Sequence, residues 1–225
     1  AMTPRPRRVI PVPPAVLPLP AGPALEWRPT LRARPQPMPG PIESDTPRLR
    51  LRQWRDDDLT PFAALNADPE VMGHFPAPLQ RHESDALARR CQALIAERGW
   101  GFWAAELKES GAFIGFVGLH TPLAELPFAP CVEVGWRLAR AYWGRGLATE
   151  AARAALRVGF ETLEVREIVS FTPLGNLRSR AVMERIGMRR HADEDFAHPA
   201  LPPDSPLRAH CLYRLERDRW LQRPG

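Results

Sequence analysis

Residues 132–150, Val-Glu-Val-Gly-Trp-Arg-Leu-Ala-Arg-Ala-Tyr-Trp-Gly-Arg-Gly-Leu-Ala-Thr-Glu, restrict the fold more than any other part of the chain. They read as a strand, a short turn rich in glycine and arginine, and the start of an amphipathic helix. Such a turn leaves backbone N–H groups without partners at a helix N-terminus, where they can receive the oxygens of a pyrophosphate. A dinucleotide-like ligand is therefore the first expectation, and the residues around the turn decide the chemistry.

Proline divides the chain unevenly. Residues 1–47 hold fourteen of the 27 prolines, with six arginines and three acidic residues. Runs such as Ile10-Pro11-Val12-Pro13-Pro14 favour extended polyproline conformation, so 1–47 is expected to be a proline-rich extension and 48–225 the folded domain. Residues 1–45 contain no cofactor motif, and turnover is expected to survive their deletion. Ala1 ahead of Met2 reads as the remnant of a cleaved tag. The remaining 178 residues carry 25 basic and 23 acidic side chains, so the body is not a highly charged nucleic-acid binder. They can also bury a substantial core without covalent staples. Cys91, Cys131 and Cys211 are too few and too scattered for a disulfide scaffold or a zinc cluster. They are expected to be small buried apolar residues in a reducing, cytoplasmic setting. No run of 18 apolar residues exists, so no membrane helix is expected.

After Pro47, Leu49 and Leu51 alternate with Arg48, Arg50 and Arg52, predicting a strand with its arginines outward. Asp56, Asp57 and Asp58 supply capping carboxylates for a helix bearing Leu59, Phe62, Ala63 and Leu65. A second helix is predicted over 84–98, with Leu87, Cys91, Leu94 and Ile95 inward. Strands follow at 100–107, 112–119 and 132–138, then a helix over 147–163, a strand at 167–172, a helix over 177–186 and a last strand near 211–215. The class is mixed α/β.

Two common phosphate-binding motifs are excluded. A nicotinamide fingerprint needs a third glycine, where this chain has Thr149, and no Gly-Lys-Ser/Thr follows for a P-loop. A second motif, Gly175-Asn176-Leu177-Arg178-Ser179, follows the strand at 168–172. Asn176 can cap the next helix and place Ser179 in its first turn, at the strand end where open α/β sheets bind ligands.

With both motifs in order, the chain resembles the GCN5-related N-acetyltransferase superfamily, and within it the ribosomal-protein alanine acetyltransferase branch. The run Tyr142-Trp143-Gly144-Arg145-Gly146-Leu147-Ala148-Thr149-Glu150-Ala151 and the distant Asn176-x-x-Ser179 carry the resemblance, which covers roughly 48–220. One departure is Ala141, where the superfamily pattern wants Gln or Arg; Arg140 is adjacent. The resemblance implies a mixed, mostly antiparallel sheet flanked by helices, with strand 134–138 bulged and splayed from strand 168–171. It implies acetyl-CoA as cosubstrate, with no metal. Val134, Trp136 and Leu138 would pair with the pantetheine arm, while Arg140, Trp143, Gly144, Arg145, Gly146, Leu147 and Ala148 would hold the pyrophosphate. Asn176 and Ser179 would contact the cofactor near the thioester, and Ser179 or water would protonate the leaving thiolate, since no tyrosine lies at 181–184.

An attacking amine must first lose a proton, and Glu133, on the strand leading into the turn, is the expected general base. An unpaired N–H of the bulge near 134–136 is the expected donor to the oxyanion. Met72, His74 and Phe75 are expected on the acceptor side with Glu133. The segment 191–198 is expected to form the opposite wall, its Asp193, Glu194 and Asp195 suiting a cationic amine. His191, His198 and His210 are expected in surface or loop roles. The expected acceptor is a protein or peptide N-terminal amine. The alternatives are a small-molecule amine (aminoglycoside, polyamine or amino-acid derivative) and a non-catalytic acyl-CoA-binding protein docking through its extension. The resemblance is compatible with a homodimer; no specific nucleic acid and no membrane are expected as partners.

Overall fold

In the computed structural model the described residues are 40–122 and 125–222, so the expectations for the extension up to residue 39 lie outside them. The strands are β1 (Ser44–Asp45), β2 (Leu49–Arg52), β3 (Phe102–Leu107), β4 (Ala112–His120), β5 (Val132–Leu138), β6 (Glu167–Pro173), β7 (Arg189–Arg190), β8 (Phe196–Ala197) and β9 (Ala209–Glu216). They form one sheet in the order β1-β2-β3-β4-β5-β6-β9-β7, with β8 also on β9. Every pairing is antiparallel except β5 with β6. The helices are α1 (Leu59–Ala67), α2 (Arg81–Arg98), α3 (Leu147–Arg157), α4 (Leu177–Arg185) and α5 (Arg217–Leu221). The mixed class, the mostly antiparallel sheet and the order of the main elements agree with the sequence; the two-residue strands β1, β7 and β8 were too short to carry a periodic signal.

The two sheet faces are covered by different helices. On one, Phe62 of α1 packs edge-on against Phe116 of β4, with centroids 5.9 Å apart. Asn66 of α1 accepts from Arg137 of β5. On the other, the buried alanines 151, 152, 154 and 155 and Leu156 bring α3 down onto the sheet. Helix α2 buries Leu87, Ala88, Cys91 and Ile95. At its start Glu83 takes the Gln80 N–H at 2.7 Å, and at its end Gly99 adopts φ 82°.

The central opening is set by register. Strand β5 pairs with β4 without interruption from Glu133↔His120 to Leu138↔Gly115. Its parallel ladder with β6 covers only Val132↔Ile168 and Glu133↔Val169. Ala139 N–H donates to Ile114 C=O at 2.9 Å. Alternation along an antiparallel ladder then turns the backbone groups of Glu133, Gly135 and Arg137 toward β4 and those of Trp136 and Leu138 toward β6. Beyond Glu133 those groups face the gap. The strands therefore splay as expected, but without the expected bulge in β5. The register shift lies instead between β3 and β4, at Ala105/Glu106.

Other local readings needed correction. Arg52 does not face outward: it is 2% exposed, with Nη1 and Nη2 donating to Asp58 at 2.7 and 2.8 Å and Nε to Glu106 at 2.6 Å. A buried guanidinium is tolerable when carboxylates neutralise it, and Glu106 comes from a strand distant in sequence. Asp58 makes no side-chain cap for α1; it accepts from Arg55 N–H and Arg52. Helix α3 stops at Arg157 and continues as a π-helical turn, Val158–Thr162. The domain reaches back past Arg48: Ile42 N–H donates to Gly99 C=O, Trp103 Nε1 donates to Ile42 C=O, and β1 pairs with β2.

Candidate active site

One cavity of about 1560 Å³ runs from the turn before α3, past the gap beside β5, to the inner side of the 196–210 segment. Its turn end is built by glycine. Gly144 and Gly146 have φ of 73° and 77°, a left-handed conformation that side chains with a Cβ resist. Gly146 is the N-cap residue of α3, which no side chain caps. The first-turn N–H groups at Leu147 and Ala148 are thus left facing the cavity, with the positive end of the helix dipole behind them. The turn is braced from outside: Glu150 accepts from Thr46 Oγ1 at 2.6 Å, Arg48 N–H at 2.9 Å and Arg48 Nε at 2.7 Å. Trp143 Nε1 donates to Leu138 C=O at 2.8 Å, tying the turn to the end of β5, and the Arg178 guanidinium lies 4.7 Å from the Trp143 ring centroid.

The Asn176 motif behaves as read. Asn176 Oδ1 accepts from Ser179 N–H at 3.2 Å, and Asn176 Nδ2 donates to Thr172 Oγ1 at 2.9 Å. The cap fixes the start of α4 beside β6, across the gap from β5. Both Asn176 and Ser179 line the cavity.

Glu133 also lines it, on the β4-bonded register of β5. Removal from water pushes its carboxyl up from an ordinary 4.5 to about 8. Directly opposite on β4 stands His120, whose ring stacks on Phe102 at 5.2 Å and whose pKa burial drives down to about 3. His120 is a neutral imidazole beside a largely protonated carboxyl at neutral pH.

Of the residues expected at the cofactor, Trp136, Leu138, Arg140 and Trp143 line the cavity together with Gly144, Gly146, Leu147 and Ala148. Val134 and Arg145 do not. The Val134 side chain is fully buried, although its backbone shares the gap-facing edge of β5 with Trp136 and Leu138, and Arg145 lies outward over the Tyr142 ring. On the acceptor side His74 and Phe75 line the cavity, but Met72 is a core residue at 1% exposure. The expected acidic wall is absent: Asp195 pairs with Arg190, Glu194 with Arg214, and Asp193 is exposed. His191 is exposed as expected, but His198 and His210 are buried, their rings 4.9 Å apart beside Phe171 and Phe196. His198 Nδ1 accepts from Ala200 N–H at 3.2 Å, so Nε2 carries the proton. Among the described residues no cluster of three or more His, Cys, Asp or Glu could hold a metal ion, and no helix is long and apolar enough to cross a membrane.

The sequence reading passed over Arg137, His120, His198 and His210 as site residues. Only Arg137 carried a usable signal, the i, i+2, i+4 spacing from Glu133 through Gly135 that puts all three on one face of β5.

Comparison with known proteins agrees with this geometry. A profile of the acetyltransferase (GNAT) domain matches residues 48–189. The FsC-acetyl coenzyme A-N(2)-transacetylase of Aspergillus fumigatus is 30% identical over 167 residues, 70% of this chain and 69% of that protein. A Bacillus subtilis protein named as a candidate ribosomal N-acetyltransferase, YdaF, is 35% identical over 83 residues, 37% of this chain and 44% of its own. The crystal structure of an acetyltransferase from Agrobacterium tumefaciens superposes with a TM-score of 0.63 at 29% identity, over 82% of this chain and 99% of that one. With the domain profile spanning most of the chain and the splayed sheet in place, the protein belongs to the GNAT acetyltransferase family.

Proposed function

We propose that this protein transfers the acetyl group of acetyl-CoA directly to a primary amine, and that a peptide or protein N-terminal amine is the acceptor. The observation that carries the reading is the uncapped start of α3 at two left-handed glycines, opening into the same cavity as Glu133 and the gap beside β5. These residues fit the cosubstrate. The N–H groups of Leu147 and Ala148 suit a pyrophosphate, with Arg140 and Arg178 adjacent. The gap-facing backbone of Trp136 and the N–H of Leu138, whose carbonyl Trp143 already holds, suit the amides of a pantetheine arm.

Within that site Glu133 takes a proton from the incoming ammonium. Its pKa of about 8 matches that of an α-amino group, about 7.7–8.0, which favours transfer in either direction with little driving force lost. The freed nitrogen lone pair attacks the thioester carbonyl carbon; a C–N bond forms and the C–S bond breaks. The Trp136 N–H, facing the gap, is the donor for the developing oxyanion. The nitrogen gives up its second proton as the tetrahedral intermediate collapses, and that proton reaches the departing thiolate through the Ser179 hydroxyl, which is reprotonated as it donates, or through water. Tyr213 is not a competing acid: its hydroxyl donates to Glu184 at 2.9 Å, outside the cavity. Holding amine and thioester in contact supplies much of the rate.

Loss of the acidic wall weakens the case for a polycationic acceptor, which leaves the peptide amine favoured by the motif resemblance. A second reading, a small-molecule amine, is favoured by the name of the Aspergillus relative, an N(2)-transacetylase. A thiol-release assay with acetyl-CoA across peptide N-termini, lysine side chains, polyamines and aminoglycosides separates them. Preference for alanine- or serine-starting peptides supports the first reading, and turnover confined to small amines replaces it with the second. Coenzyme binding without turnover of any amine sinks both and leaves a binding protein.

Asn176 and Ser179 are expected to separate cleanly. Asn176→Ala removes the cap, lowering stability by about 1 kcal/mol and weakening acetyl-CoA binding with it. Ser179→Ala lowers turnover with little change in melting temperature. Normal turnover in Ser179→Ala would reduce that hydroxyl to a helix-start residue and assign the thiolate's proton to water.

A further inference from the structure

Among the described residues two arginines are buried, and they are satisfied differently. Arg52 is neutralised by Asp58 and Glu106. Arg137 of β5, 6% exposed, has no carboxylate partner among the described residues. Its Nη1 donates at 2.6 Å to the neutral amide of Asn66, and its Nε is enclosed with no hydrogen-bond partner. The guanidinium lies 4.1 Å from the Phe75 centroid and 5.4 Å from that of Phe116. Burial lowers its pKa to about 10, which leaves it charged at neutral pH. Arg137 lines the cavity on the same face of β5 as Glu133.

An enclosed charge without a counter-ion is strongly unfavourable, and aromatic faces offset only part of that. We infer that the amine acceptor also carries a carboxylate, and that Arg137 binds it through Nη2. The inference rests on the acetyl-transfer reading above. With Nη1 committed to Asn66 and Nε enclosed, Nη2 is the nitrogen left to donate to a carboxylate oxygen, as a charge-assisted hydrogen bond. The coenzyme's phosphates are poorly placed to be the missing anion, because Arg137 points to the α1 side of the sheet while the uncapped start of α3 lies beyond the end of β5. The other carboxylate at this end, Glu70, is held by Arg140 at 2.7 Å. Four residue rises of strand lead from Glu133 to Arg137, about 13 Å between Cα atoms. The acceptor's carboxylate is therefore several bonds from its amine.

Matched pairs of acceptors test this. One pair is the peptide Ala-Asp-Ala amide against Ala-Asn-Ala amide; the other is 6-aminohexanoate against its carboxamide. The wild type is expected to prefer the carboxylate member of at least one pair by about tenfold or more in kcat/KM, and whichever pair shows the preference identifies the source as an acidic peptide or a small amino acid. Arg137→Gln should collapse that ratio toward one while calorimetric acetyl-CoA affinity holds. Should Arg137→Gln fail to fold, Asn66→Asp supplies Arg137 with a carboxylate from within and should suppress the same preference. Calorimetry of each pair against the CoA-loaded protein gives the same ratio without turnover, so an inactive enzyme would refute the acetyl-transfer reading separately. Absence of preference in the wild type, an unchanged ratio in a folded variant, or a loss of acetyl-CoA affinity would each overturn the role of Arg137.

Discussion

Gly146→Val is expected to cut acetyl-CoA affinity by about 10²-fold or more while the domain stays folded. At φ 77° any residue with a Cβ is strained by about 1–2 kcal/mol, and a β-branched one more. Relief of that strain requires rotation of the backbone at the N-cap of α3, which moves the Leu147 and Ala148 N–H groups off the phosphate. Hydrogen bonds to a charged group are worth about 1.5–3 kcal/mol each, so loss of one with the strain accounts for the expected change. Crowding is secondary, because a Cβ here would meet only Arg48 Nη2, at 3.6 Å. Calorimetry on a variant with a retained cooperative melt checks the result; unchanged affinity would remove the pyrophosphate from this turn.

Glu133→Gln should lower turnover by about 10²-fold or more with acetyl-CoA affinity nearly intact, the range for loss of a general base. The pH dependence gives a second readout. The base must be ionised, so wild-type kcat/KM should rise with pH through about 8, and the variant should keep only the rise owed to the amine itself. Stability should move the other way. The native carboxyl holds its proton up to about 8 while the unfolded one loses it near 4.5, so the native state binds more protons between those values. The wild type's stabilisation is complete below about 4.5 and is lost as pH rises through about 8; Glu133→Gln should lack that loss. Full activity of the variant at neutral pH would assign the proton to water or another group.

Residues 132–150 and 175–179 made the ligand end legible because their chemistry is local. Glycines with left-handed φ, a helix start without a side-chain cap and an Asn cap are each decided within a few residues, and each appears where the sequence placed it. The acceptor end was not legible in this way. Asp193, Glu194 and Asp195 read as a wall for a cation, but Arg190 and Arg214 claim two of them, and β9 supplies Arg214 from the far side of the loop. His198 and His210 read as loop residues, yet pairing of β8 with β9 folds them inward onto Phe171.

The sequence by itself determined the α/β class, the order of the main elements, the glycine turn before α3 and the capped helix beside it, since periodicity and backbone preference act over short spans. Only the tertiary structure decided which buried charges are neutralised. Arg52 and Arg137 look alike in the sequence, both within strands and both following an apolar residue. One meets carboxylates from a 3-10 turn and a neighbouring strand, and the other meets an amide and two aromatic rings. A charge's partner is fixed by which distant elements the fold brings within about 4 Å of it, and no local pattern encodes that distance.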